Sequence, residues 1–311
     1  MKPLLAADYE ESRLCFPLGA QPKIDGVRGL TTELVLTGRS LKRHKNLYTT
    51  RFYSAPEYAN LDGELAADDE RSPTLCRTTS SALSRIEGEP FTLFHVFDWL
   101  HKSVYHLNYA DRYEQLCGHI KSQQSRGLCS HARVVPMFIC RDLEELLHQD
   151  TLWLQQGYEG TIIRGLEAGH KQGRSTVSRG ELLRIKRFID AEALVVSLEE
   201  GNDNNNVPQT NELGRTFRTS HRDNKTPNGT IGNMQCVMLE DVMYQKQIIL
   251  KKHQTVTVSP GTMDHATRKQ LFENQDQIVQ HVVKFKFFPK GIKDKPRFPT
   301  YQAHRSAEDM G

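Results

Sequence analysis

Lys23-Ile24-Asp25-Gly26-Val27-Arg28 places an amine, a carboxylate, a glycine and a guanidinium within six residues. An amine must be uncharged to attack phosphorus, and nearby positive charge favours the uncharged form. A glycine lets the backbone turn tightly beside a bulky ligand. These six residues therefore suit phosphoryl chemistry on a lysine. An Asp-Gly turn on a surface hairpin would read the same way, and the stretch alone leaves both open.

The rest of the chain narrows the choice of class. Its 311 residues suit two domains, and 37% hydrophobic with 25% charged residues is the balance of a soluble globular protein. No apolar run approaches the length needed to span a bilayer, and the start Met-Lys-Pro-Leu-Leu-Ala-Ala-Asp meets an acid too early for a secretory segment. Cysteines 15, 76, 117, 129, 140 and 236 form no C-x-x-C pair and no cluster with histidine. The expectation is a reduced, intracellular protein without structural zinc. The net charge of +3 is mild, but Lys284 to Arg297 holds six basic residues and one acid, Asp294. Such a stripe suits phosphate contacts, although a solvated strand face would tolerate it too.

Residues 94–99 and 161–164 read as short buried strands. Tyr109, Tyr113, Leu116 and Ile120 recur at helical spacing after Asn108. Asp142, with Glu145 three residues on, opens a second helix that carries Leu143, Leu146 and Leu147 inward and ends at Gly157. Both helices read as structural. From Glu199 to Gly232 the composition turns to glycine, asparagine and scattered basic residues, which predicts a long mobile loop or hairpin. Strands follow at 232–240, 247–258 and 279–288, with a short helix after Thr262 or Asp264. In the last strand Val283, Phe285 and Phe287 alternate with Lys284, Lys286 and Phe288, giving one apolar and one largely basic face. A small β-barrel with one helix fits these pieces, and the OB-fold is its natural form.

Five segments follow Lys23 in order: Gly38-Arg39-Ser40, Leu61-Asp62-Gly63-Glu64-Leu65, Val96-Phe97-Asp98, Glu159-Gly160-Thr161-Ile162-Ile163-Arg164 and Leu182-Leu183-Arg184-Ile185-Lys186. Each has an ordinary explanation by itself, such as a hairpin turn, a core aromatic or an exposed acid at a strand start. Strand alternation puts Arg184 and Lys186 on one face. Taken together and in this order, the segments resemble the motif series of the covalent nucleotidyltransferases, and in particular the minimal ATP-dependent DNA ligases. The resemblance extends from Lys2-Pro3-Leu4-Leu5 to Pro296-Arg297-Phe298-Pro299, nearly the whole chain.

That resemblance implies an α+β protein: a mixed α/β adenylyltransferase domain over 1–187, then an OB-fold β-barrel over 188–311. A latch-like insertion is expected at about 201–232. It implies that Lys23 carries AMP taken from ATP, with Asp25 and Arg28 beside it. Glu64 accepts from the ribose hydroxyl, Phe97 stacks on the purine for roughly 1–3 kcal/mol, and Gln21 and Arg174 contact the nucleotide. Glu159, with Asp62, would hold Mg²⁺ or Mn²⁺. Arg184 and Lys186 would meet the α-phosphate. Arg184 stands where relatives carry lysine, and a planar fork is not a point charge. Arg297 and Asp309 would align the leaving pyrophosphate, which implies a swing of the second domain. Arg39, Lys42, Arg215, Arg218, Lys284 and Lys286 would contact nicked duplex DNA, bound by a monomer that closes its latch. An RNA ligase, an mRNA capping guanylyltransferase and a catalytically idle DNA-binding relative would share much of this pattern.

Overall fold

The computed structural model describes residues 1–185, 187–244, 247–289 and 295–304. The chain divides into two compact units, Met1–Lys186 and Arg187–Gly311. Among the described residues no helix is long and apolar enough to cross a membrane.

Two five-stranded sheets build the first unit. In one, Leu18–Lys23 lies between Gly160–Gly165 and Phe138–Cys140, and Leu182–Arg184 and Ala7–Asp8 extend the far edge. Leu146 and Trp153 of the helix Leu143–Gln155 pack on Ala20 and Ile163 of this sheet. The helix begins where expected. The Asp142 carboxylate accepts from the Glu145 N–H at 2.9 Å, and Glu145 reaches back to the Arg141 N–H at 2.7 Å. Its inward Asp150 accepts from the Thr161 hydroxyl at 2.7 Å, tying helix to strand beside Glu159.

In the other sheet Val27–Thr32, Leu61–Ala66 and Leu93–Trp99 lie side by side. Alternation sends Leu61, Leu65, Phe94 and Val96 into a core covered by Leu116 and Ile120 of the helix Tyr109–Ser125. The opposite face receives Arg28, Glu64 and His95, which stand across from one another in register.

The second unit is a curled five-stranded sheet in the order Thr255–Val258, Lys225–Met238, Ile189–Asn204, Val282–Phe288, Arg297–His304. Val283, Phe285 and Phe287 are fully buried in its core, as their alternation predicts. The strands and the helix expected of an OB-fold are present. Among the described residues a bridge joins Ser259 to Thr300, with the Tyr301 N–H donating to the Ser259 carbonyl and the Ser259 N–H to the Pro299 carbonyl, both at 3.0 Å. Pro260 and Pro299 flank that bridge and have no N–H to continue it. A helix, His265–Glu273, starts at Asp264, whose side chain accepts from the Thr267 N–H.

The segment expected as a mobile loop or hairpin forms paired strands. Ile189–Asn204 and Lys225–Met238 continue their pairing as far as Asn204 opposite Lys225, and a second hairpin, Pro208–Thr210 with Thr216–Arg218, sits beyond them. Asparagines take the place of a core. The Asn206 amide donates to Asn204 Oδ1, the Thr219 carbonyl and the His221 carbonyl at 2.8–3.0 Å. Side-chain bonds to backbone can hold a turn where no apolar pattern exists.

Candidate active site

Lys23 ends a strand that is otherwise buried along its length. Its backbone carbonyl accepts from the Glu159 N–H at 3.1 Å, and the register pairs Lys23 with Gly160. That pairing brings the two side chains together: the Lys23 ammonium donates to Glu159 Oε2 in a short ion pair. The lysine side chain is 23% exposed and the glutamate 8%, so the pair is largely but not fully buried.

The turn after Lys23 needs its glycine. A Cβ on Gly26 would lie 2.3 Å from the Leu65 carbonyl oxygen and 2.8 Å from Glu64 Cγ, so the turn packs directly on the neighbouring strand. Asp25 is buried beside it. Arg28 then spans Asp62 with two bonds, Nε to Oδ1 at 2.6 Å and Nη2 to Oδ2 at 2.7 Å. Burial opposes the Arg28 charge, and Asp62 more than offsets this, leaving the guanidinium pKa above its ordinary value.

Glu64 stands across from Arg28 on the next strand. Burial pushes its carboxyl up to about 7, Asp25 and Asp62 add to the rise, and Arg28 and Lys23 counter it. The Lys23 turn therefore packs directly beside Glu64, as the close approach of Gly26 to Glu64 Cγ shows. Phe97 is half-buried and belongs to none of the apolar cores. The guanidinium carbons of Arg28 and Arg164 lie 4.6 and 5.0 Å from its ring centroid.

Three side chains to which the sequence reading gave no site role lie beside these groups. Arg164, buried in the middle of its strand, donates from Nε to Gln21 Oε1 at 3.1 Å. The Tyr109 hydroxyl bonds to the same oxygen and to the Phe97 carbonyl at 2.8 Å. Behind Phe97, Asp98 is buried against Arg112, with bonds of 3.0 and 3.1 Å. Burial works against its charge, yet His170, Arg112 and Arg164 hold the Asp98 carboxyl well below the usual range. A charged residue inside the apolar run Thr161-Ile162-Ile163-Arg164 was the available signal for Arg164. Tyr109 carried none, because its helical spacing explains it fully.

Several of the expected site residues take protein partners. Asp62, expected with Glu159 as a metal ligand, has both oxygens taken by Arg28. Gln21, expected at the adenine, is 1% exposed and is bonded to Tyr109, Arg164 and the Val135 carbonyl. Arg174 donates to the Ala6 carbonyl at 2.8 Å, and Arg184 to Asp8 at 2.6 Å. Lys186 and Asp309 lie outside the described residues. Among those described, no three His, Cys, Asp or Glu side chains gather as a metal-holding group.

No family model matches the chain. The DNA ligase of African swine fever virus is 27% identical over 108 residues, which is 35% of this chain and 25% of the viral enzyme. The match therefore spans a quarter of that relative's length. Chlorella virus DNA ligase-adenylate superposes with a TM-score of 0.52 at 24% identity, covering 98% of this chain and 99% of that one. A minimal Lig E DNA ligase gives 0.70 at 18% identity, with the same 98% and 99% coverage.

The chain has the fold of the minimal DNA ligases.

Within the ligase fold, Arg39 and Lys42 are exposed on a tight loop closed by the Gly38 N–H on the Lys42 carbonyl at 2.8 Å. Arg215 is exposed next to the outer hairpin, and Arg218 donates to the Asn206 carbonyl. Lys284 is less free than its sequence suggests. It pairs with Asp190 at 2.8 Å on the adjacent strand, while Lys286 lies 4.9 Å from the Phe188 ring centroid. Acids on Ile189–Asn204 thus offset part of the basic face. Arg297 begins the last strand, its guanidinium 5.9 Å from the Phe298 ring.

Proposed function

We propose that the protein is an ATP-dependent DNA ligase that seals a 5′-phosphate to a 3′-hydroxyl at a nick in duplex DNA. The observation that carries this reading is Lys23 paired with Glu159 at a cleft whose other wall presents Arg28, Glu64 and Phe97. A nucleophilic lysine, a phosphate-binding arginine, a carboxyl for a ribose hydroxyl and an aromatic platform are the parts that nucleotidyl transfer needs. The likeness of fold to DNA ligases supports the same reading.

Attack requires the free amine, so Lys23 leaves its pair with Glu159 and gives up a proton. Nζ forms a bond to the α-phosphorus of ATP as the bond to the bridging oxygen breaks and pyrophosphate departs. A 5′-phosphate oxygen of the nick then displaces Lys23 from phosphorus, which yields an adenylated strand and restores the lysine. The 3′-hydroxyl attacks that 5′-phosphate and AMP leaves. Arg28 and Arg184 bring positive charge to the reacting phosphate, and Glu64 holds the sugar. Glu159 by its chemistry fits a magnesium or manganese ion, which when bound offsets triphosphate charge. Arg39, Lys42, Arg215 and Arg218 are the exposed cations that best suit a DNA backbone.

The test is sealing of a 5′-phosphorylated DNA nick with ATP and magnesium. Joined product with ATP and none with GTP is expected. Transfer of GMP from GTP, or joining confined to broken RNA, would overturn this assignment.

A further inference from the structure

The segment Leu4–Asp8 lies against three arginines that the sequence reading gave to nucleotide or phosphate. Arg28 Nη2 donates to the Leu4 carbonyl at 3.2 Å, Arg174 Nη1 to the Ala6 carbonyl at 2.8 Å, and Arg184 Nε to Asp8 Oδ1 at 2.6 Å. The segment is firmly seated. Leu4 and Ala7 are buried, and the Gly173 and Ser175 N–H groups donate to the Pro3 and Leu5 carbonyls at 3.1 and 2.8 Å. Asp8 stands directly opposite Arg184 in a parallel pair, with the Tyr9 N–H on the Arg184 carbonyl at 3.1 Å.

We propose that Asp8 is a positioning residue that tethers Arg184 by one nitrogen so that its two terminal nitrogens meet the α-phosphate. The proposal rests on the ligase reading above and deepens it. An arginine can divide its work in this way because its fork offers separate donors at Nε and at the two Nη atoms. A lysine has three donors but all on one nitrogen, so it would have to meet Asp8 and the phosphate at a single point. The arginine at this position and the aspartate beside it thus make one chemical unit. Among the described residues, the terminal nitrogens of Arg184 carry no other hydrogen bond. The pair is partly solvated, with Asp8 61% and Arg184 28% exposed, so its own attraction is weak. Its value lies in restricting a long side chain that would otherwise lose much rotamer freedom on meeting phosphate.

The experiment compares full-length wild type with Asp8→Ala, Asp8→Asn, Arg184→Lys and the Asp8→Ala/Arg184→Lys double variant. Two quantities are read: affinity for α,β-methylene-ATP by calorimetry, and the ATP dependence of single-turnover lysine adenylation. Asp8→Ala and Asp8→Asn are expected to weaken nucleotide affinity about 3–10-fold and to raise the half-saturating ATP concentration similarly, with a smaller change in maximal rate. Asp8→Glu should recover part of the loss. In the Arg184→Lys background, Asp8→Ala should change either quantity less than twofold. Wild-type affinity in both Asp8 variants, or the same loss with lysine at 184 as with arginine, would overturn the proposal. A wild-type protein that binds the analogue yet forms no lysine adduct with ATP would overturn the ligase reading, while the affinity comparison would still decide the role of Asp8.

Discussion

Glu64 and Gly26 meet at one turn, and each is held by the other's neighbourhood. The folded Glu64 carboxyl keeps its proton up to about pH 7, whereas an unfolded one loses it near 4.5. Between those values the native state binds more protons, so Glu64 leaves stability intact below about 4.5 and lowers it as pH rises to 7. Glu64→Gln should therefore raise stability at pH 8 by about 2 kcal/mol and leave it nearly unchanged at pH 4. Urea midpoints at the two pH values measure this, and an equal shift at both would refute it. Gly26 faces a rigid carbonyl oxygen, so Gly26→Ala should cost about 1–3 kcal/mol in the same assay. Gly118, in the helix Tyr109–Ser125, is the counterpart. No atom lies within 4 Å of an added Cβ there, and Gly118→Ala should stabilise by about 0.5–1 kcal/mol. Residues whose meaning is local were readable in advance. The Asp-Gly turn and the strand alternation behind Phe285 and Phe287 fall in this class. Arg164, Tyr109 and Asp8 were not, since their partners are 143, 88 and 176 residues away.

Helices were legible as elements because caps and apolar spacing lie within a few residues of each other. Asn108, Asp142 and Asp264 each accept the N–H three residues on, where the sequence marks a helix start. In the asparagine-rich segment the composition left a mobile loop and a hairpin both open. Its order comes from Asn204 and Asn206 bonding across the hairpin to the Thr219 and His221 carbonyls, a pattern without periodicity. The hairpin carries Arg215, Arg218 and Arg222 well away from Lys23 in sequence. Deleting residues 203–230 should weaken binding of nicked DNA at least tenfold and leave AMP transfer to the protein within twofold of wild type. Gel-shift titration and a labelled-adduct assay measure the two, and equal loss of both would contradict a DNA-binding role for the hairpin.

For the whole molecule, a net charge of +3 gives little sign of a polyanionic partner, because the acids Asp190 and Glu192 lie on the strand that pairs with Lys284 and Lys286. The order of the motifs carried more than composition could. Segments scattered from Gln21 to Arg184 converge through strand register, Lys23 against Gly160 and Arg28 against Glu64, into one cleft. What stayed illegible was how these groups pair with one another, since Asp62, Gln21 and Arg174 all take protein partners. The central claim is that the Lys23 nitrogen becomes bonded to the phosphorus of AMP. Peptide mapping by mass spectrometry after incubation with ATP and magnesium tests it directly. The account predicts one added AMP on the peptide containing Lys23, and none anywhere in Lys23→Ala; an adenylylated residue elsewhere, or an adduct that survives the substitution, would contradict it.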